Sequence, residues 1–151
     1  MKNRCIYIMI FSLLFSYNSI GNYQYYEEIE SMEYLLNERI EIMNEFLYGY
    51  KDMDSLEKKL DKIEAQNLLE NDLDILYKVI DNPTDYELAL NVEVDKIHSL
   101  EKTDNGLHIN ADLKWLMSGY DGEFSMVKNY NITCVELEKQ MYLASLVILN
   151  N

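Results

Sequence analysis

The chain is poor in several residues on which small domains and catalytic sites often depend. Its 151 residues include two cysteines, two histidines, one proline and one tryptophan. Cys5 belongs to an apolar N-terminal segment, so a processed chain would keep Cys134 alone, which excludes an intramolecular disulfide and any site that needs two cysteines. The sequence also has no glycine-rich phosphate loop, and its paired acids lack the rest of a calcium-binding loop.

Positive charge is scarce as well. Lys and Arg together number 13 against 27 Asp and Glu, so the formal net charge is -14 at pH 7. Such a chain repels nucleic acid and anionic membrane surfaces, and we expect no nucleic-acid partner. The excess of acids is most simply a solvated surface, although it could also attract a basic partner protein.

The N-terminal segment has the order of a secretory signal peptide. Lys2 and Arg4 precede an apolar run over residues 5–15, and small and polar residues follow it. The run is shorter than the roughly 20 residues that a membrane span needs. We therefore expect residues 1–21 to be a signal peptide and the protein to be secreted or extracytoplasmic. An uncleaved short membrane anchor is the alternative, and it is the only membrane attachment that the sequence offers.

Residues 22–28 form a lead-in, and a single α+β domain is expected over 29–151. The domain starts with helical periodicity, in which apolar residues recur at spacings of three and four. The first stripe comprises Ile29, Met32, Leu36, Ile40, Met43, Leu47 and Tyr50. Two shorter helices follow; Asp54 and Glu57 resemble a capping box at the start of one, and Asn82-Pro83 ends the other.

From Tyr86 onward the apolar period changes to two, which predicts four antiparallel strands. Asn105-Gly106 and Asp121-Gly122 suit two-residue turns. With these turns Val94 lies opposite Met117, and Met117 opposite Met126. The apolar faces of the first three strands then coincide, whereas a slip of one residue would separate them.

The last strand, over residues 141–149, is apolar on both faces, so both faces are expected to be covered. A three-residue loop at 138–140 would point its odd-numbered residues away from the helices. Three N-terminal helices packed on a curved four-stranded antiparallel meander are therefore the predicted architecture.

This order of elements resembles the cystatin-like architecture of the nuclear transport factor 2-like superfamily, in particular its small exported members. The resemblance covers residues 29–149, with the turns Asn105-Gly106 and Asp121-Gly122 and the closing strand over 140–148 where that fold would place them. It implies a sheet that wraps the helices into a cone, often with a pocket and often dimerising through the sheet. The superfamily includes enzymes, binding modules and assembly components, so the resemblance leaves function open.

A basic and aromatic cluster is the candidate ligand-binding site. The predicted register places Lys96, Trp115 and Lys128 in one inward row, with His98 and Tyr130 in the next. The functional interpretation is a pocket mouth that binds an anionic or aromatic ligand through lysine charge and tryptophan stacking. The alternative is that the helices do not reach this end of the sheet, so that the lysine stems cover Trp115 and the ammonium groups stay in water.

No catalytic residue, metal or cofactor is predicted. The register places His98 and His108 on opposite faces, which argues against a shared metal. The inward positions of the first three strands carry no Asp or Glu, which argues against an isomerase-like or hydratase-like base. Glu41 and Asp72 on the helices remain as carboxylates, each more simply solvated. Cys134 is expected to be a buried structural thiol.

The leading hypothesis is an exported, non-enzymatic binding or interaction domain. It would engage a protein partner, or form a homodimer, through the outer face of the sheet. The expected interface comprises Val127, Val135, Met141, Leu143, Val147 and Leu149. The alternatives are a small-molecule-binding, or enzymatic, cone pocket and a component of a cell-envelope assembly held by an uncleaved N-terminal segment.

Overall fold

The computed structural model describes residues 25–49, 52–81 and 87–149. The expected signal peptide or anchor, the first residues of the lead-in and Asn82-Pro83 lie outside these ranges. The described elements are α1 (Tyr26–Tyr48), α2 (Met53–Leu60), α3 (Gln66–Asp81), β1 (Leu88–Thr103), β2 (Gly106–Gly119), β3 (Gly122–Leu137) and β4 (Gln140–Ile148).

The four strands form one open antiparallel meander in the order β1-β2-β3-β4, with the three helices packed against it. This confirms the predicted architecture. The compact unit begins at Met32; of the residues before it, 25–31 are described and form the first turns of α1. Among the described helices, none is both long and apolar enough to cross a bilayer.

The helices begin and end close to where the sequence predicts. Asp52 caps α2, since its side chain accepts a hydrogen bond from the backbone N–H of Ser55 at 3.4 Å. The cap therefore lies two residues before the predicted Asp54. The buried face of α1 is wider than the predicted stripe because Leu35, Ile42 and Phe46 are buried as well.

The first two hairpin turns each lie one residue earlier than predicted. Thr103 pairs with Gly106, and Gly119 pairs with Gly122, so the glycines start the following strands. Each glycine follows its two-residue loop directly and has a positive φ, 153° at Gly106 and 115° at Gly122. Other residues avoid this conformation, and the turn therefore settles where glycine is available for it.

Because each turn moves by one residue, the hairpin register moves by two, and the faces are preserved. Met117 pairs with Phe124 instead of Met126, and Met126 pairs with Trp115. The predicted inward residues of β2 are all turned to the core: Leu107, Ile109, Ala111, Leu113 and Trp115 are buried and Met117 packs partly buried against them.

β1 departs from the prediction because its pairing with β2 is irregular at three places. The register shifts between Ala89 and Asn91, between Val94 and Lys96, and between Ile97 and Ser99. Each extra residue in one strand changes which face the following side chains occupy. Alternation, which predicts faces well in β2, therefore fails at Leu90, Lys96 and His98 of β1, although Leu100 still packs against the core.

β4 also departs from the predicted register. Its turn has two residues, Glu138 and Lys139, both at positive φ, and a shift follows between Thr133 and Cys134 on β3. Leu143 consequently lies opposite Cys134 on the inner side and is fully buried. The prediction that Met141 and Leu143 point outward is wrong, since Met141 also packs against the core.

A short segment between α2 and α3 pairs with the outer edge of β4. The backbone N–H of Ala65 donates to Leu143 O at 2.7 Å, and Leu143 N–H donates to Ile63 O at 2.8 Å. Glu64, between these two residues, forms a parallel bridge with Leu143. This pairing fixes Glu64 at the edge of the sheet.

Side chains of α1 cover the opposite edge, at β1. Asn37 donates to Val92 O at 2.8 Å and accepts from Val92 N–H at 3.0 Å, as a neighbouring strand would. Asn44 donates to Ala89 O, and Glu33 accepts from Val94 N–H. These bonds satisfy edge groups that could otherwise pair with another chain.

Gly106→Ala is expected to lower the free energy of unfolding by about 2–3 kcal/mol because it combines a positive φ with a collision. A Cβ at this position would collide with the carbonyl oxygen of Cys134 and approach Val135 Cα to 2.9 Å. Gly122→Ala is the matched control, since its added Cβ meets nothing within 4 Å, and about 1 kcal/mol is expected from φ alone. Urea denaturation followed by circular dichroism measures both; equal losses would contradict the steric argument.

Candidate functional site

The inner face of the sheet opens into a cleft at one end. The cleft has a volume of about 610 Å³. Its described lining consists of Glu87, Ala89, Trp115, Met117, Met126, Lys128 and Tyr130. At the other end of the same face Leu107, Ile109 and Ile132 are fully buried, whereas Phe124 beside the cleft is 37% exposed. Among the described residues, the cover over this face therefore decreases toward the cleft.

Two aromatic rings form the buried wall of the cleft. The ring centroids of Trp115 and Tyr130 are 5.7 Å apart with the planes tilted by 45°, a usual aromatic pair geometry. Both residues are buried, and burial raises the pKa of the Tyr130 phenol. The indole N–H of Trp115 makes no hydrogen bond of normal geometry among the described residues, although its interaction with the Tyr130 hydroxyl acts to lower the pKa of that phenol against the larger effect of burial.

The rim of the cleft carries charge. Lys128 and Glu87 are both exposed, and the thioether side chains of Met117 and Met126 lie partly exposed on the lining. The cleft is open and not an enclosed cavity. An apolar interior with a few polar groups at its edge is the usual composition of a small-molecule site.

Trp115, Lys128 and Tyr130 are brought together as the sequence predicts, but the other two members of the predicted cluster are not. Lys96 pairs with Asp112, an outward-facing residue of β2, and His98 Nε2 lies 2.9 Å from Asp112 Oδ2. The register shifts in β1 are the physical cause, because the shifts on either side of Lys96 and Ile97 turn Lys96 and His98 to the outer face, while Ile97 and Leu100 pair with inward residues of β2.

The two histidines are therefore not on opposite faces, and that prediction is wrong. His108 Nδ1 lies 3.1 Å from Thr133 Oγ1, on the same outer face as the contact between His98 and Asp112. Within the described residues no three His, Cys, Asp or Glu side chains are grouped so that they could hold a metal ion.

The outer face carries a row of hydrogen-bonded polar side chains. Asn129 donates to Asp112 at 2.8 Å, and Asn110 donates to Asn129 at 3.1 Å and to Asn131 at 2.8 Å. The hydrogen bonds from Asn129 and from His98 hold the pKa of Asp112 below its usual value. This row divides the outer face between polar and apolar positions.

The predicted interface is smaller and less continuous than expected. Val127 and Val147 are 52% and 51% exposed, while Val135 and Leu149 are partly buried. Along β3, Asn129 and Asn131 separate Val127 from Val135. With Met141 and Leu143 in the core, four of the six predicted positions remain at the outer surface.

A buried charge cluster is the feature that the sequence interpretation missed. Arg39 Nε on α1 lies 3.0 Å from Glu64 Oε1 and 2.6 Å from Asp72 Oδ2 on α3. Glu64 and Asp72 are each 2% exposed. Asp72 is thus not the solvated carboxylate that was expected, whereas Glu41 is exposed.

Helical periodicity in the sequence indicates the burial of two residues of this cluster, Arg39 and Asp72. Arg39 follows Leu35 and Leu36 by four and three positions, and Asp72 follows Leu68 and Leu69 in the same way, so each charge lies on a buried face. Opposite charges on two buried faces predict a contact between helices. No such period points to Glu64, which lies in the short segment before α3.

Two carboxylates share one guanidinium in this cluster. Burial of Glu64 and the neighbouring Asp72 carboxylate raise the pKa of Glu64 from 4.5 to about 8, although Arg39 acts in the opposite direction. Burial by itself would lower the pKa of Arg39, but the two acids outweigh it and the pKa is raised. Glu64 Oε2 has no hydrogen-bond partner among the described residues.

The fold and the site together define an α+β domain with three helices, an open four-stranded antiparallel sheet and a cleft on its inner face. The sequence matches no protein-family model and no curated protein. The geometry of the cleft and of the charge cluster is accordingly the basis for a functional proposal.

Proposed function

We propose that this protein is a binding domain that takes a small, planar, largely apolar ligand with an anionic group in the cleft at Trp115. The observation that carries the proposal is the lining itself, in which two aromatic rings and two methionines meet one exposed lysine. The cleft volume of about 610 Å³ lies within the range of roughly 300–1,000 Å³ usual for such sites.

Each lining group has a separate part in the proposed binding. The rings of Trp115 and Tyr130 offer contact area to a planar ligand, and the methionines can adapt to its outline. The buried indole N–H of Trp115 would donate to an acceptor on the ligand, since a hydrogen bond to a buried donor is favourable. Lys128 would attract the anionic group at the rim.

Binding is favoured over catalysis by the position of the carboxylates. Glu87 is the one carboxylate among the described lining residues, and it is exposed. A general base that works near neutral pH usually needs burial to raise its pKa. The buried acids Glu64 and Asp72 are absent from the described lining and are occupied by Arg39.

The outer face of the sheet is less suited to bind a partner protein or a second copy of the chain than the cleft is to bind a ligand. Leu143, one of the six expected interface residues, is fully buried in the core. The polar row over Asn110, Asn129 and Asn131 interrupts what is left of the apolar patch. Of the predicted interface positions, Val127 and Val147 are the two that are more than half exposed.

We also propose that the protein is an exported member of the nuclear transport factor 2-like superfamily. The order of three helices and four antiparallel strands supports this, as does a cleft on the inner face of the sheet. The charged, apolar and small residues of positions 1–21 support export. Both statements are compatible with a ligand-binding role.

Lys128→Met is expected to weaken the binding of an aromatic anion about threefold to fivefold, as removal of one exposed charge contact should. The probe is 8-anilinonaphthalene-1-sulfonate, and N-phenyl-1-naphthylamine serves as its uncharged analogue, whose affinity should not change. Trp115 is the only tryptophan, so quenching of its emission reports binding at the cleft.

Lys114→Met is the matched control for Lys128→Met. It removes the same charge on the outer face, where Lys114 Nζ lies 2.7 Å from Glu93, and it should leave both probes unaffected. Failure of both probes to bind the folded protein would refute the cleft as a site. An equal loss in Lys114→Met would show that net charge, and not Lys128, attracts the anion.

A further inference from the structure

We propose that the cleft and the adjoining edge of β3 bind an extended peptide, which adds a strand to the sheet and supplies both the apolar and the anionic group of the ligand. The inference deepens the proposed function of the cleft and rests on it. It names the ligand as a peptide segment in which an acidic residue precedes an aromatic residue by two positions.

The edge of β3 beside the cleft has no neighbouring strand. β4 pairs with β3 from Tyr130 to Leu137, so residues 122–128, called the open edge below, pair with β2 alone among the described residues. Met126 and Lys128 belong to the open edge and also line the cleft. A strand added to the open edge would therefore lie directly along the cleft.

The backbone of the open edge presents hydrogen-bonding groups to a further strand. At the end of β4, the backbone N–H of Leu149 donates to Asn129 O at 2.9 Å, so the backbone groups of Asn129 point away from β2. The N–H and C=O of one residue point to the same side, and the side alternates along an antiparallel strand. Glu123, Ser125 and Val127 therefore direct their backbone groups to the uncovered side.

The other sheet edges have features that hinder the addition of a strand. Residues 63–65 pair with β4, and side chains of α1 bond to β1 as far as Val94. After Val94 the pairing of β1 shifts twice, and such irregular edges resist further pairing. The open edge, in contrast, pairs with β2 without a shift, and it is regular enough to receive an extended partner.

The inward side chains of the open edge indicate the chemistry of the peptide. A strand antiparallel to β3 would place alternate residues opposite Lys128, Met126 and Phe124, in the pairs where side chains approach most closely. An acidic residue opposite Lys128 would meet its exposed ammonium group. An aromatic residue opposite Met126 would extend the row that Met126 forms with Trp115. An apolar residue would cover Phe124, which is 37% exposed.

A second copy of this chain fits the open edge less well than such a peptide. Two open edges in antiparallel pairing would place an inward residue of one copy opposite Lys128 of the other. The inward residues are Gly122, Phe124, Met126 and Lys128, and none of them is acidic. Glu123, the one acid of the open edge, lies on the outer face by alternation. Charge complementarity at Lys128 therefore favours a different chain.

The test measures the affinity of acetyl-Glu-Val-Phe-Thr-Leu-amide from the emission of Trp115. With its glutamate opposite Lys128, the peptide directs the N–H of its valine toward β3 and that of its phenylalanine away. N-methylation of the valine should weaken binding at least about tenfold, because a hydrogen bond is lost and a methyl group separates the strands. N-methylation of the phenylalanine is the matched control and should change the affinity less than about twofold.

Val127→Pro is the corresponding change in the protein. The N–H of Val127 points away from β2, so proline removes no bond between β2 and β3, and edge strands tolerate it. Peptide affinity should fall at least about tenfold in Val127→Pro, whereas Val127→Thr, which keeps the N–H, should bind as the unmodified protein does. Circular dichroism establishes that both variants are folded.

A change of charge tests the contact at Lys128. Glutamine in place of the peptide's glutamate should weaken binding to the unmodified protein about threefold to fivefold. The two peptides should bind Lys128→Met equally, because the ammonium group that distinguishes them is gone. An undiminished preference for glutamate in Lys128→Met would overturn the proposed register.

The outcomes separate this inference from the proposed function. Equal affinities for the two N-methylated peptides, or for folded Val127→Pro and Val127→Thr, would overturn strand addition. Binding of 8-anilinonaphthalene-1-sulfonate without binding of the peptide would also overturn it and leave the cleft as a site; an edge filled by another segment of this chain would give that result. A dimer that Val127→Pro converts to a monomer in light scattering would overturn it in favour of a second copy. Absence of binding by the peptide and by both naphthalene probes would overturn the proposed function, and this inference with it.

Discussion

Arg39→Met is expected to lower the free energy of unfolding by about 3–5 kcal/mol at pH 7, the cost of leaving buried charge without its partner. Methionine keeps the length of the arginine stem but has no cation. Glu64 and Asp72, each 2% exposed, would then face each other in the core. Urea denaturation followed by far-ultraviolet circular dichroism measures the loss.

The loss from Arg39→Met should shrink at lower pH. The raised pKa of Glu64, about 8, means that this group is largely neutral at pH 7 and adds a second buried negative charge at pH 9. The free-energy difference from the unmodified protein should therefore be smaller at pH 7 than at pH 9.

Lys59→Met is the matched control for this prediction. It removes a cation whose ion pair with Glu45, at 2.5 Å, is exposed, and a loss below about 1 kcal/mol is expected. If Arg39→Met costs no more than Lys59→Met, the buried cluster does not stabilise the fold in the manner described.

Leu143→Glu is expected to unfold the domain or to lower its free energy of unfolding by at least about 4 kcal/mol. The change buries a further carboxylate beside Glu64, and the guanidinium of Arg39 is already paired with Glu64 and Asp72. Leu143 is fully buried between Cys134 and the segment around Glu64. The measurement is circular dichroism at 25 °C together with the midpoint of thermal unfolding.

Val147→Glu introduces the same side chain on the same strand but on the outer face, where Val147 is 51% exposed. Its expected cost is below about 0.5 kcal/mol, as for most surface changes. A comparable loss in the two variants would contradict the register of β4. Light scattering on Val147→Glu is also the appropriate test of an outer-face dimer, because this change leaves the core intact.

In the first three strands, the alternation of apolar residues predicts which face is buried but not the exact pairing. Alternating apolar residues predict which face of β2 is buried, and Trp115, Lys128 and Tyr130 lie in one cleft because β2 and β3 pair without a shift. The pattern is indifferent to a register change of two residues, since every side chain keeps its face. The position of each turn was decided by the positive φ of Gly106 and Gly122.

Alternation does not predict the side-chain faces where the strand pairing is irregular, in β1 and between β3 and β4. Lys96 and His98 follow a register shift in β1, and Leu143 faces a shift between β3 and β4. Such a shift depends on how the two strands meet, and nothing in the local alternation of either strand indicates it. The errors in the predicted site and in the predicted interface both have this origin.

The sequence by itself determined the order of helices and strands, the buried faces of the regular strands and the aromatic half of the cleft. These depend on the spacing of apolar residues, which each segment carries locally. Three features are settled only in the folded structure: the outward turn of Lys96 and His98, the face that Leu143 occupies, and the contact of Arg39 with both Glu64 and Asp72. These features depend on contacts between residues that are far apart in the chain. Desolvation and charge interactions between two elements cannot be predicted from the sequence of either element by itself.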